Sequence, residues 1–124
     1  MGSNKKQTLG RSGEEAAARY LAERLGWTIV TRNWRCREGE LDIVAYDGRR
    51  HVVCEVKTRT GTAFGTPLEA ITQAKAARLR RLTGRWASLN GIPSDTVRID
   101  VIGLVVAVRG DRPGFDLDHV RGVC

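Results

Sequence analysis

The stretch Gly39-Glu40-Leu41-Asp42-Ile43-Val44-Ala45-Tyr46, then Asp47-Gly48-Arg49-Arg50, then His51-Val52-Val53-Cys54-Glu55-Val56-Lys57 reads as a β-hairpin. Two apolar, β-prone runs flank Asp-Gly, and glycine enters positive φ without steric cost. Side chains alternate faces along a strand, so Glu55 and Lys57 share one face and Val52, Cys54 and Val56 the other. The place of Asp42 depends on the loop. A loop of Asp47-Gly48 alone sets Asp42 opposite Val53, diagonal to Glu55. A loop of Asp47 to Arg50 sets it directly opposite Glu55. Either even-length loop puts Asp42, Glu55 and Lys57 on one face, and an odd loop separates them. An even loop is the expectation.

Two carboxylates and an ammonium on one sheet face need a cause, because buried charge is costly unless paired or bound to metal. A hard divalent cation relieves the repulsion between acids. Mg²⁺ takes one or two carboxylates and keeps waters and phosphate oxygens around it. It can then activate water and stabilise charge on a phosphoryl group. Lys57 would orient that water or offset the developing charge. The competing reading is an ion pair of Lys57 with Glu55 or Asp42 on a solvated face. Spacing alone leaves both standing.

The chain has 124 residues, enough for one domain with its own core, and a formal charge of +7. Its pI of about 10.0 points to a polyanionic partner, most often nucleic acid. Cys36, Cys54 and Cys124 form no CxxC pair and cannot close a full disulfide framework. With His51 and His119 as the histidines, a zinc site is not expected. No apolar run is long enough to span a bilayer and no secretory signal is evident, so a reducing, cytoplasmic setting is expected.

Residues 1–10 are polar and basic and read as a disordered tail, with one domain over 11–124. Ser12 and Glu15 form a capping box, which predicts a first helix from about Ser12 to a glycine cap at Gly26. Ala16, Ala17, Tyr20, Leu21 and Leu25 make its apolar face. Glu14 lies beside that face, where it reaches the sheet or simply favours the helix N-terminus. A strand over 27–35 precedes the hairpin, and Trp34 there is a base-stacking candidate or a packing residue. The glycine-rich loop after Lys57 leads to Thr66-Pro67-Leu68-Glu69, a second capping box. The helix it predicts runs to about Leu89, with Leu68, Ile71, Leu79, Leu82, Trp86 and Leu89 as its stripe and a break at Gly84 conceivable. Lys75 interrupts that stripe, so it either snorkels outward or points over the sheet. Arg78, Arg81 and Arg85 line one flank, as a solvated face or a phosphate track. Residues 97–108 read as one central strand with a bulge at Gly103, and Asp100 within it as a structural salt-bridge partner. An edge strand over 115–120 follows a turn.

The order helix, three strands, helix, strand and edge strand, with Asp42, Glu55-Val56-Lys57 and Lys75, resembles the PD-(D/E)xK nuclease superfamily. More closely, the chain is similar to the YraN family of small bacterial endonuclease-like proteins, whose fold is similar to that of Holliday junction resolvases. The carriers are Gly13-Glu14, Gly39-Glu40-Leu41-Asp42-Ile43-Val44, Glu55-Val56-Lys57-Thr58-Arg59, Lys75, Arg98-Ile99-Asp100-Val101 and His119-Val120-Arg121. The resemblance implies an α/β restriction-endonuclease-like fold, a central mixed sheet flanked by helices. It implies Asp42 and Glu55 as metal-binding acids, with the Val56 carbonyl and the helix-borne Glu14 as further ligands, and Lys57 as the catalytic lysine. The superfamily's proline before the aspartate is Leu41 here. The implied activity is Mg²⁺- or Mn²⁺-dependent hydrolysis of DNA, structured or branched, with Arg59, Lys75, Arg78, Arg81 and Arg85 holding phosphates. Homodimerisation would suit a cutter of two strands. The alternative is a nucleic-acid-binding module with a dormant site.

Overall fold

A computed structural model describes residues 5–61, 66, 69 and 71–124, with side chains from Thr8 onward. Helix α1 spans Lys5–Arg19 and continues as a π-helical turn, Tyr20–Arg24. Strands β1 (Thr28–Cys36), β2 (Gly39–Tyr46) and β3 (His51–Arg59) follow, then α2 (Gln73–Leu89), β4 (Arg98–Arg109) and β5 (Arg112–Val120). They form one five-stranded sheet in the order β1-β2-β3-β4-β5. Its pairs are antiparallel except β3–β4, which the α2 crossover makes parallel. This is an α/β protein with a mixed sheet and a helix on each face.

Each face of the sheet has its own core. Ala17 of α1 and Leu21 of the π-helical turn pack with Ile43, Ala45, Val52, Cys54, Ile102 and Leu104. Leu79, Leu82, Trp86 and Ala87 of α2 pack with Leu41, Val44, Val53 and Ile99 on the opposite face. Alternating β-branched residues in β2 and β3 feed both layers, as expected of strands covered on two sides.

The hairpin loop is the longer of the two even alternatives: Tyr46 pairs with His51, leaving Asp47 to Arg50 as the loop. The Asp47 carboxylate accepts the amides of Arg49 and Arg50 at 2.8 and 2.9 Å, and Gly48 takes a φ of 101°.

Several elements differ from the sequence reading. Helix α1 begins at Lys5, so Lys5 to Gly10 belong to it rather than to a disordered tail. Ser12 is inside the helix and caps nothing, because a Ser-x-x-Glu pair marks a start only where the chain before it leaves helical geometry. Gly26 does end the helical segment, at φ 71°, with the Trp27 amide donating to the Leu21 carbonyl at 2.9 Å. Thr66 and Glu69 make the reciprocal hydrogen bonds of a capping box, both at 3.3 Å, but α2 proper starts at Gln73. Its cap is Thr72, which accepts the Lys75 amide at 3.1 Å. Pro67, Leu68 and Gly65 lie outside the described residues. Helix α2 runs through Gly84 without a break, and Leu89, at its last position, is exposed. Thr83 and Ala87 are buried instead, and Ala87 lies in the same core as Val44 and Val53. Gly103 carries no bulge: it pairs in unbroken register with Lys57 and Asp118. β4 is an interior strand, as expected, paired with β3 on one side and β5 on the other, and β5 begins at Arg112 after a turn at Gly110.

Asp100 is fully buried on β4. It accepts Arg98 Nε at 2.8 Å and Arg98 Nη2 at 3.0 Å, the Gly122 amide at 3.1 Å and His119 Nε2 at 2.8 Å. His119 Nδ1 in turn meets the Tyr20 hydroxyl at 2.8 Å. Arg98 and Arg121 lie over the Trp27 ring, with guanidinium carbons 5.6 and 5.5 Å from its centroid. Burial alone would raise the Asp100 pKa; the His119, Arg98 and Gly122 donors overcome it and hold the group below its ordinary value. The structural role assigned to Asp100 is the one it occupies.

Candidate functional site

Asp42 sits where the strands lose their regular alternation. Leu41 belongs to the α2-side core and Ile43 to the α1-side core, although residues two apart on a strand share a face. The slip repeats on β1: Arg32 reaches Glu15 of α1 at 3.0 Å, whereas Trp34 packs with the α2-side core. Asn33, between them, has a φ of 53°. On the other side, the β2–β3 ladder runs from Tyr46–His51 to Ile43–Cys54. Beyond it the Asp42 side chain takes over, and its Oδ2 accepts the Val56 amide at 2.8 Å. Asp42 therefore lies in the seam between two strands rather than on one plain face.

Glu14 arrives from α1. Gly13, next to it, permits that approach: a Cβ there would come within 2.9 Å of Thr58 Cβ and closer still to its Oγ1. Carboxylate oxygens of Glu14, Glu40 and Asp42 all lie within 4.8 Å of one another, and all three residues are partly buried. Burial and then the Glu55 charge push the Asp42 pKa up, with Glu14 adding to it; the Val56 amide and Lys57 pull the other way, and the outcome is about 8. Glu14 is also raised, by burial first and then by Glu40, while a hydrogen bond with Asp42 relieves it. Both carboxyls therefore take up a proton more readily than usual.

Glu55 stands outside the triad of acids, with Lys57 Nζ at 3.2 Å from its Oε1. It is still the neighbouring charge that acts most strongly on Asp42. Lys57 and Arg59 line a recess of about 390 Å³ together with Glu14 and Val56. Val56 enters the site through its amide. Lys75, Arg78, Arg81 and Arg85 are exposed on α2, and Arg85 pairs with Glu38 at 3.4 Å. None of these four lines the recess beside Glu14. Trp34 packs rather than stands free.

Sequence reasoning missed Glu40. It is two residues before Asp42 on the same strand, a spacing that puts both on one side, and Arg35 Nε holds its Oε2 at 3.0 Å.

The arrangement defines a class: a small α/β protein with carboxylates from a helix and a strand gathered at a seam of its sheet, next to a lysine. The sequence model of the uncharacterised protein family UPF0102 matches residues 13–104, and the chain belongs to that family. It is 49% identical over 118 residues to a UPF0102 protein of a Nocardioides species, covering 95% of this chain and 92% of that one. It is 50% identical over 120 residues to a UPF0102 protein of Clavibacter michiganensis, covering 97% and 98%. A UPF0102 protein of Streptomyces coelicolor is 50% identical over 122 residues, covering 97% and 91%. Among the described residues no helix is long and apolar enough to cross a membrane.

Proposed function

We propose that the chain is a Mg²⁺- or Mn²⁺-dependent phosphodiesterase that cuts DNA, structured or branched, with the restriction-endonuclease-like fold of the PD-(D/E)xK superfamily and the YraN family. The observation that carries this reading is the convergence of Glu14, Glu40 and Asp42 within 4.8 Å, beside the Glu55–Lys57 pair. Oxygen-only donors suit a hard divalent cation, and the proton that burial and the Glu55 charge favour on Asp42 is what a cation would replace.

Glu14, Glu40 and Asp42 would hold the ion, with Glu55 next to Asp42. When bound, it would supply Lewis acidity toward a phosphodiester and a neighbouring water. The Val56 amide fixes Asp42 Oδ2, and with it the orientation of the carboxylate. Glu55 aims the Lys57 ammonium, which lines the recess, offsets charge on a phosphoryl oxygen and orients the attacking water. Arg59 lies two residues on, within reach of the next phosphate.

The test is a cleavage screen of duplex, flap, junction and RNA substrates with Mg²⁺ and Mn²⁺. Cutting that disappears in Asp42→Asn and in Lys57→Ala supports the proposal. Cutting that persists in both variants places the activity outside this site.

A further inference from the structure

Two recesses meet at the acids. One, of about 390 Å³, lies on the β3 side and is lined by Leu9, Gly10, Glu14, Lys57 and Arg59 among others. The other, of about 530 Å³, lies on the β1 side and is lined by Gly10, Arg11, Glu14, Asn33, Arg35 and Glu40. Gly10 and Glu14 border both, so the two recesses adjoin beside α1. A Cβ on Gly10 would meet nothing within 4 Å, so the space next to it is open. Both mouths are cationic, with Arg11 and Arg35 at one and Lys57 and Arg59 at the other. Past Leu9, a third recess of about 530 Å³ is apolar, walled by Val106, Pro113 and Phe115.

We propose that one unpaired nucleic-acid strand runs along these recesses past Gly10, its phosphates held by Arg11 and Arg35 on one side and by Arg59 on the other, with an unstacked base against Phe115. Pockets of roughly 300–1,000 Å³ each hold one small-molecule-sized group, so these recesses take successive nucleotides singly. A cationic track with an aromatic platform is the usual means of holding a single strand. The inference rests on the nuclease reading for the substrate's chemistry, but its test requires no cutting.

The probes are fluorescein-labelled single strands of about 12 nucleotides, DNA and RNA in separate arms, and the matching blunt duplex, followed by anisotropy in EDTA. Wild-type protein binds at least one single strand about tenfold or more tightly than duplex, and Gly10→Trp loses about tenfold while its Tm does not fall. Arg35→Ala lowers the slope of log affinity against log salt by about one phosphate contact. Phe115→Leu abolishes the quenching of 2-aminopurine at one position of the strand, a readout independent of the Gly10 variant. Equal or tighter duplex binding, no single-strand binding, or single-strand binding unchanged by both Gly10→Trp and Phe115→Leu overturns the proposal. A protein that cuts but fails these tests keeps its nuclease site and loses the single-strand path; one that passes them without cutting does the reverse.

Discussion

Metal uptake at the carboxylate cluster should expel a proton. The Asp42 pKa of about 8 means the metal-free site is mostly protonated at neutral pH. At pH 7 about 0.9 proton sits on it, and an ion that needs the carboxylate ionised must displace nearly all of that. Affinity for Mn²⁺ should therefore rise about 50-fold between pH 6 and pH 8 and level off above about pH 9. Isothermal titration in two buffers of very different ionisation enthalpy counts the proton directly, and repeating it across pH traces the titration. The Asp42→Asn variant should bind poorly and release none. The same shift makes a stability statement. A folded-state pKa raised above the ordinary 3.8 means the native state holds the proton longer. Metal-free stability should then fall as pH rises from about 4 through about 8, and fall less in Asp42→Asn, where the raised Glu14 carboxyl still contributes. Mn²⁺ binding with no buffer-dependent heat at pH 7, or with an affinity indifferent to pH, would refute the reasoning.

Gly13→Ala should push α1 off β3, costing about 1–3 kcal/mol by overpacking against Thr58 and weakening Mn²⁺ binding because Glu14 rides on the displaced helix; urea melts and the same titration check both effects. Asp100→Asn removes the buried charge opposite Arg98 and sets an NH2 donor against the donors of Arg98 and of His119 or Gly122, so denaturation should show a loss of about 3–5 kcal/mol. Tyr20→Phe deletes only one hydrogen bond of that network and should cost about 1 kcal/mol. Lys57→Ala should leave Mn²⁺ uptake near normal while slowing cleavage about 100-fold or more in single-turnover assays, since Lys57 meets Glu55 and is not one of the three clustered acids.

The hairpin was legible because its signals are local: Asp47-Gly48 fixes the turn, and the parity of the loop fixes which residues face each other. The crossover from β3 through α2 to a parallel β4 followed from element order. The position of Asp42 in the seam was not legible, because strict alternation was assumed and the slip is a joint property of Asn33 on β1 and Leu41 to Ile43 on β2. Glu40 stayed hidden for a different reason: its spacing from Asp42 was readable, but a triad with Glu14 exists only once α1 lies across β2. The start of α1 was misread because the Ser12–Glu15 pair satisfies a capping pattern without being at an end. Leu89 shows the limit of a periodic stripe: it has the right angle around α2 but lies at the helix terminus, away from the sheet.

The ring of donors around Asp100 bears on the order in which the molecule assembles. Its oxygens are shared among β4, the end of β5 and the amide of Gly122, while Tyr20 is brought to the ring through His119. The buried carboxylate has its full set of donors only when His119 and the Gly122 amide are in place, so the α1-side layer is completed late, once residue 122 is available. During synthesis its completion should follow the emergence of residue 122, with Tyr20 and His119 coupling the helical segment to β5.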